Sequence, residues 1–265
     1  MARFFVDELP REGTEYRLTG ENAEHAKVLR LRPGEIVTLC DGRGLDCPCT
    51  AAEGGALIAG AALPCPAEPA AKVSVWIAFP KADKAEHVIQ KAVELGAAEI
   101  VLFPSRYCVS RPDSKSLGKK LERWQKIARS AAEQSRRGVI PAVRAADSFS
   151  EALKEAAAAD LPILFYENEE QLTLHDVFSA VGAPLIRPSV RTGAPSPEGE
   201  GFGGRPGAAF TVSMMTGAEG GFSEEEIAGA RDAGMKICTL GPRILRCETA
   251  PLAGLTAIMY ALGEM

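Results

Sequence analysis

Two patterns of apolar residues divide this 265-residue chain. Up to about residue 63 the apolar positions form short runs separated by turn residues. Residues 3–6 and 35–40 are long enough for strands, the second closed by Asp41-Gly42-Arg43-Gly44. A further pair, 46–51 and 56–63, flanks Gly54-Gly55, and together these runs predict a small β-rich barrel. Between them residues 22–31 have helical spacing, ended by Pro33-Gly34. Pro64-Cys65-Pro66-Ala67-Glu68-Pro69 then favours extended backbone, so it predicts a stiff linker and a domain boundary.

After Lys72 the rhythm changes. Near-continuous apolar runs at 73–79, 100–103, 140–143, 163–166, 210–215 and 237–240 have the character of strands buried on both faces. Helical patterns alternate with them. Residues 83–95 place Ala85, Val88, Ile89, Ala92 and Val93 on one side, with Gly96 as the stop. Residues 117–135 form a second helix. Ser148 to Glu151 and Ser223 to Glu226 have capping-box spacing, the first for a helix ending near Asp160, and residues 248–262 form a closing helix. Strand alternating with helix predicts an α/β fold with an open, mostly parallel sheet covered on both faces. The expected domains are 1–70 and 71–265. Residues 187–207, rich in glycine and proline, are expected to be a flexible surface insertion.

Charge alters this picture locally. The formal net charge is −5, yet residues 81–144 carry 14 basic against 7 acidic side chains. Such a block is either the footprint of a polyanion or the solvated helix face of Lys115, Lys119, Lys120, Arg123, Lys126 and Arg129. No apolar run reaches the roughly 18 residues of a membrane span, and the first residues lack a signal-peptide core. Seven cysteines, an odd number, suggest free thiols in a reducing cytoplasm. Cys47, Cys49 and Cys65 have no fourth ligand nearby, and His25, His87 and His175 are scattered, so neither a metal site nor a triad is expected.

In open α/β sheets ligands sit beyond the carboxyl ends of strands. Three such ends are unusual here: Tyr166-Glu167-Asn168-Glu169, Thr216-Gly217-Ala218-Glu219-Gly220-Gly221, and Leu240-Gly241-Pro242-Arg243-Ile244-Leu245-Arg246-Cys247-Glu248-Thr249-Ala250. The glycines of the second invite a phosphate, but the chain has no P-loop or dinucleotide fingerprint and Glu219 repels an anion. The acidic surroundings suit a cationic or hydroxyl-rich ligand, or the loop is a plain turn. Arg243 and Arg246 either serve an anionic intermediate or pair with Glu248.

The second and third loops together resemble the signature of the RsmE family, small-subunit ribosomal RNA uridine N3-methyltransferases of the SPOUT superfamily. Further matches follow in order: His25 to Arg30 with Pro33-Gly34-Glu35, Asp41-Gly42-Arg43-Gly44, Lys81-Ala82-Asp83, Gln90-Lys91 with Glu94-Leu95-Gly96, and Glu133-Gln134-Ser135-Arg136. The chain departs at Thr216 and Ala218, where the family carries Ile and Pro. The resemblance implies a PUA-like N-terminal barrel, a C-terminal domain with a deep trefoil knot, a homodimer, and S-adenosylmethionine bound in the knot loops. It implies a cofactor site of Tyr166, Glu167, Thr216, Gly217, Glu219, Gly220, Leu240, Gly241, Leu245, Arg246 and Thr249. Arg3, His25, Arg30, Lys81, Lys91, Arg106, Gln134 and Arg136 become candidates for gripping ribosomal RNA.

Methylation at uridine N3 needs loss of the N3 proton, and the resulting anion spreads onto O2 and O4. Arg246 is the candidate for stabilising that anion, with Glu248 either orienting it or accepting the proton. Two other classes stay open: a knotted methyltransferase acting on a different RNA, and an RNA-binding protein that keeps the fold without the chemistry.

Overall fold

The computed structural model describes residues 2–81, 84–109, 112–180 and 209–265, and within them the chain forms two compact units. The expected insertion at 187–207 lies outside the described residues.

The first unit comprises Met1–Glu68 and Arg129–Ile140. Its strands are β1 (Arg3–Phe5), β2 (Glu15–Tyr16), β3 (Ile36–Cys40), β4 (Leu45–Ala51), β5 (Leu57–Ala59) and β6 (Leu63–Pro64), with helix α1 (Gly20–Leu29) after β2. They form one sheet in the order β1-β3-β4-β5-β2, with β6 also paired to β4. Alternation along β4 buries Cys47, Cys49 and Ala51 with Phe4, Val37, Leu39 and Leu57, so these cysteines serve as small core residues. The run 56–63 is broken at Gly60, where a Cβ would stand 2.7 Å from the Pro48 carbonyl oxygen. No residue of α1 is buried, and the helix ends at Arg30 in the left-handed region (φ 52°), before Pro33-Gly34.

The proline-rich segment is fastened rather than free. Leu63-Pro64 pairs with β4, the Cys65 amide donates to the Gly44 carbonyl, and Glu68 accepts the Arg137 guanidinium and the Gly138 and Val139 amides. The Arg137 and Glu68 side chains are 4% and 11% exposed. Burial opposes ionisation of Glu68, but the bonds and charge of Arg137 and the two amides prevail and hold its pKa below the usual carboxylate range.

The second unit comprises Pro69–Ala128 and Pro141–Met265. Its elements are β7 (Lys72–Ala78), α2 (Lys84–Glu94), β8 (Glu99–Phe103), α3 (Ser114–Gln134), β9 (Ala142–Ala145), α4 (Phe149–Ala156), β10 (Leu161–Phe165), α5 (Leu174–Ala180), β11 (Thr211–Thr216), α6 (Glu224–Asp232), β12 (Lys236–Cys238) and α7 (Ala250–Ala261). From Arg129 onward, α3 groups with the first unit. The sheet is parallel throughout, in the order β12-β10-β11-β7-β8-β9. Neighbouring residues on β11 show helices on opposite faces: the Ser213 hydroxyl donates to the Ala156 carbonyl of α4, while Met214 packs against Gly254 of α7.

Ser223 and Glu226 form the reciprocal capping box, whereas the Glu151 carboxylate takes the Asp147 amide and leaves Ser148 as a one-way cap. The helix after Ser148 stops at Ala156, short of Asp160. Helix α5 is an addition to the expected elements, although Thr173 and Asp176 bond each other's backbone amides as a capping box does.

Replacing Glu68 by alanine removes the carboxylate that the buried Arg137 guanidinium grips, which should cost about 3 kcal/mol in urea unfolding. Because the Glu68 pKa is lower in the folded state, its contribution is complete above the unfolded carboxylate value. It is lost as pH falls through the folded value, so the alanine variant and the parent should converge in stability under acid.

Candidate active site

Strand β10 pairs with both β11 and β12, so three carboxyl ends stand side by side. Their loops enclose a cleft of about 900 Å³ within the second unit. From β10, Tyr166 donates its hydroxyl to Glu224 and accepts the Asn168 amide, at 3.0 and 3.1 Å. From β11, buried Thr216 reaches the Trp76 carbonyl at 3.5 Å, a contact that its hydroxyl makes and an aliphatic side chain could not. The turn that follows closes with the Gly221 amide on the Ala218 carbonyl, with Gly221 at φ 65°. A Cβ on Gly221 would overlap the Glu167 carboxylate, and one on Gly217 would lie 2.9 Å from the Gly221 Cα. Glycine is therefore required on steric as well as conformational grounds. After β12, the Thr239 hydroxyl bonds the Gly241 amide and carbonyl and braces the third loop.

A charge cluster borders this cleft. Lys84, at the start of α2, places its ammonium 3.0 Å from Glu219, 3.1 Å from Glu248 and 3.5 Å from the Cys247 sulfur. The Cys247 thiol also donates to Glu248 at 3.2 Å. Burial resists ionisation of Glu219, yet the Lys84 bond, its own amide and the Lys81 amide hold its pKa near about 2. Glu248 is also lowered, first by the thiol and then by its own amide and Lys84. Burial and the Glu248 bond push the Cys247 thiol up to about 12, so it stays protonated. Arg246 is 83% exposed and lies 4.0 Å from Glu248, so its guanidinium is available at the rim.

Most of the expected cofactor residues meet here. Tyr166, Glu167, Thr216, Gly217, Glu219, Leu240, Gly241, Leu245 and Arg246 line the cleft. Gly220 does not; it abuts Tyr107, where a Cβ would stand 2.6 Å from the Tyr107 Cβ. Thr249 does not either: it is the N-cap of α7 and faces a separate groove of about 750 Å³ along that helix, as does Glu248. Lys84 and Glu170, outside the three marked loops, also line the cleft, as do Glu169 and Cys247 from within them. A cation opening a helix runs against the helix dipole, and that was the available signal for Lys84.

The expected RNA contacts separate by environment. Arg3 is withdrawn from that role, because its guanidinium is 9% exposed and grips Asp46 through two bonds of 2.7 and 2.8 Å. In the first unit His25 stands edge-on to Phe4, while Arg30, Gln134 and Arg136 are exposed. Arg30 and Arg136 are the non-glycine residues at positive φ among the described residues (52° and 62°). In the second unit Lys81 and Arg106 are exposed, whereas Lys91 is paired with Glu94 at 2.8 Å. The basic positions of α3 at Lys115, Lys119, Arg123 and Lys126 lie opposite buried Trp124 and Ala128, an exposed cationic helix face. Arg123 also pairs with Glu86.

Comparison with known proteins agrees with this geometry. The model of an RNA methyltransferase domain matches residues 67–259, and that of an RNA methyltransferase PUA domain matches 18–50. The ribosomal RNA small subunit methyltransferase E of Bacillus subtilis is 31% identical, covering 98% of this chain and 96% of its own. The protein of that name from Neisseria gonorrhoeae, crystallised with S-adenosylmethionine, is 30% identical with a TM-score of 0.75, over 98% of this chain and 97% of its own. A methyltransferase from Legionella pneumophila, solved with the same cofactor, is 26% identical with a TM-score of 0.74, over 97% and 96%. The fold is therefore mixed α/β with a PUA-like N-terminal domain, and the chain belongs to the RNA methyltransferase family of the ribosomal RNA small subunit methyltransferase E proteins.

Proposed function

We propose that this protein transfers a methyl group from S-adenosylmethionine to N3 of a uridine in small-subunit (16S) ribosomal RNA. The observation that carries the reading is the cleft itself, formed at three adjacent strand ends with an exposed arginine on its rim. Its lining fits the cofactor: Phe165, Leu240, Pro242 and Leu245 offer apolar walls for a base, while Glu167, Glu169 and Glu170 suit ribose hydroxyls and a cationic sulfur. When bound, S-adenosylmethionine supplies an electrophilic methyl on a sulfonium that departs as a neutral thioether.

Arg246 then stabilises the uridine anion through its O2 or O4 edge. Of the two roles open to Glu248, the geometry favours orienting Arg246. Its carboxylate already accepts from Cys247 and Lys84, and its lowered pKa makes it a poor acceptor for the N3 proton. Because N3 lies on the pairing edge, the target base is unpaired or splayed out. Arg30 and Arg136 in the first unit, with Lys81 and Arg106 in the second, are candidates for holding RNA phosphates.

The reading includes a two-domain division at 1–70 and 71–265, a trefoil-knotted methyltransferase domain and cytoplasmic action on an assembled subunit. Among the described residues no helix is long and apolar enough to cross a membrane. It also includes a homodimer, supported by the groove along α7, whose Leu252, Ala253 and Tyr260 present apolar surface.

Incubation with labelled S-adenosylmethionine and small subunits from a strain lacking this methylation should yield N3-methyluridine in the RNA. Label on another nucleoside or RNA would overturn the acceptor, and absence of cofactor binding would overturn the enzyme. Arg246→Ala should lower kcat by about 100-fold or more without changing the melting temperature, since the side chain is exposed.

Arg30→Gly and Arg136→Gly should each reduce the salt dependence of RNA binding by roughly 0.7–0.9 in logarithmic slope. Neither should lower stability, because glycine relieves about 1 kcal/mol of left-handed strain. Unchanged slopes in filter binding would remove these arginines from the RNA surface.

A further inference from the structure

We propose that Lys84 is a positioning residue for methyl transfer: its ammonium ties the loop after β11 to the entry of α7, keeps Glu219 from pairing with the donor's sulfonium, and holds Glu248 where it orients Arg246. The inference rests on the proposed function and concerns how the acidic side of the same site is controlled.

The geometry is that of a three-way clasp. A lysine ammonium has three protons to donate, and Lys84 has three acceptors: Glu219 on one loop, and Glu248 and Cys247 on the other. The groups around it are few. Glu219 also takes the Lys81 amide, the Cys247 thiol donates to Glu248, and Arg246 lies 4.0 Å from the far oxygen of Glu248. A positive charge at a helix start is unfavourable by itself, so these carboxylates supply what keeps the ammonium there.

Removing the ammonium has two consequences. Glu248, within ion-pair distance of Arg246, loses an anchor and no longer fixes that guanidinium toward the acceptor base. Glu219 becomes an unneutralised carboxylate on a cleft that already holds Glu167, Glu169 and Glu170. A carboxylate that pairs with the sulfonium stabilises the ground state more than the transition state, because sulfur loses its positive charge as the methyl leaves. Binding then tightens while turnover falls.

This sets Lys84 apart from a residue that merely holds two loops together. The methyl donor and its product S-adenosylhomocysteine differ by a methyl and one positive charge, so the ratio of their affinities reports the electrostatics at sulfur. In calorimetric titrations of the full chain, Lys84→Met and Lys84→Gln should raise the preference for S-adenosylmethionine over S-adenosylhomocysteine by about tenfold, the effect of one unit charge several ångströms away in a partly wet cleft. Transfer to small subunits should fall at least as much. Lys84→Arg should keep the parent ratio within about twofold, and Lys84→Met combined with Glu219→Gln should bring it back toward the parent value. Equal weakening of both ligands, or an unchanged ratio in a parent protein that binds both, would overturn the role of Lys84 alone. A parent protein that binds neither ligand would overturn the proposed function and this inference with it.

Discussion

The pairing of β10 with both β11 and β12 is the constraint on which the functional part of this molecule depends. In a parallel sheet every strand points the same way, so three adjacent strands deliver three consecutive loop ends to one edge. Residues 27 to 80 positions apart in sequence, such as Tyr166, Glu219 and Arg246, thereby line one cleft. The register has little freedom. Gly254 of α7 lies so close to Phe165 of β10 and Met214 of β11 that a methyl group there would stand 2.6 Å from the Phe165 ring. The helix carrying the third loop into the core is therefore locked against the strands that carry the other two.

Burial sorts the arginines of this chain into different jobs. Arg3 and Arg137 are nearly inaccessible, and each holds an acidic partner of its own unit, Asp46 and Glu68. Such pairs are strongly destabilising to break, because the surviving charge has no water to turn to. Arg30, Arg136 and Arg246 are exposed, and two of them occupy backbone conformations that favour glycine. A long cation kept where glycine is easier on the backbone is what the proposed grip on RNA phosphates requires. The same residue type thus reads as scaffold or as reagent according to what surrounds its guanidinium.

Much of this was legible in the sequence. Continuous apolar runs located the inner strands of the parallel sheet, because strands buried on both faces cannot hide their composition, whereas the edge strand β9 is shifted two residues from its run; the two glycine- and arginine-bearing loops marked the cleft. Two-residue strands such as β2 and β6 escaped because periodicity needs more than one repeat. Helix α5, of seven residues, escaped for its brevity despite the Thr173–Asp176 cap. Arg3 was misjudged, and the anchoring role of Glu68 escaped, for a different reason. A charge within a proline-rich stretch or near a terminus looks solvated until a partner 43 or 69 residues away covers it. The Lys84 clasp joins residues 135 and 163 positions apart, a separation no local pattern records.

The electrostatics of the clasp bear on where the pH dependence of transfer arises. Glu219 is held ionised down to about 2, and Cys247 stays protonated up to about 12. Glu248 is depressed as well, and Lys84 is raised above the ordinary lysine range. Across neutral pH the cluster therefore keeps a fixed charge: two carboxylates, one ammonium and a neutral thiol. A site with no titrating member cannot itself impose a bell-shaped profile. In the proposed reaction the proton whose loss limits methylation is then the acceptor's own, on uridine N3, so the rate should climb with pH as the base ionises beside a guanidinium that is always charged. Under that proposal the acidic cluster supplies a constant field, and Arg246 acts on the one group that changes its protonation.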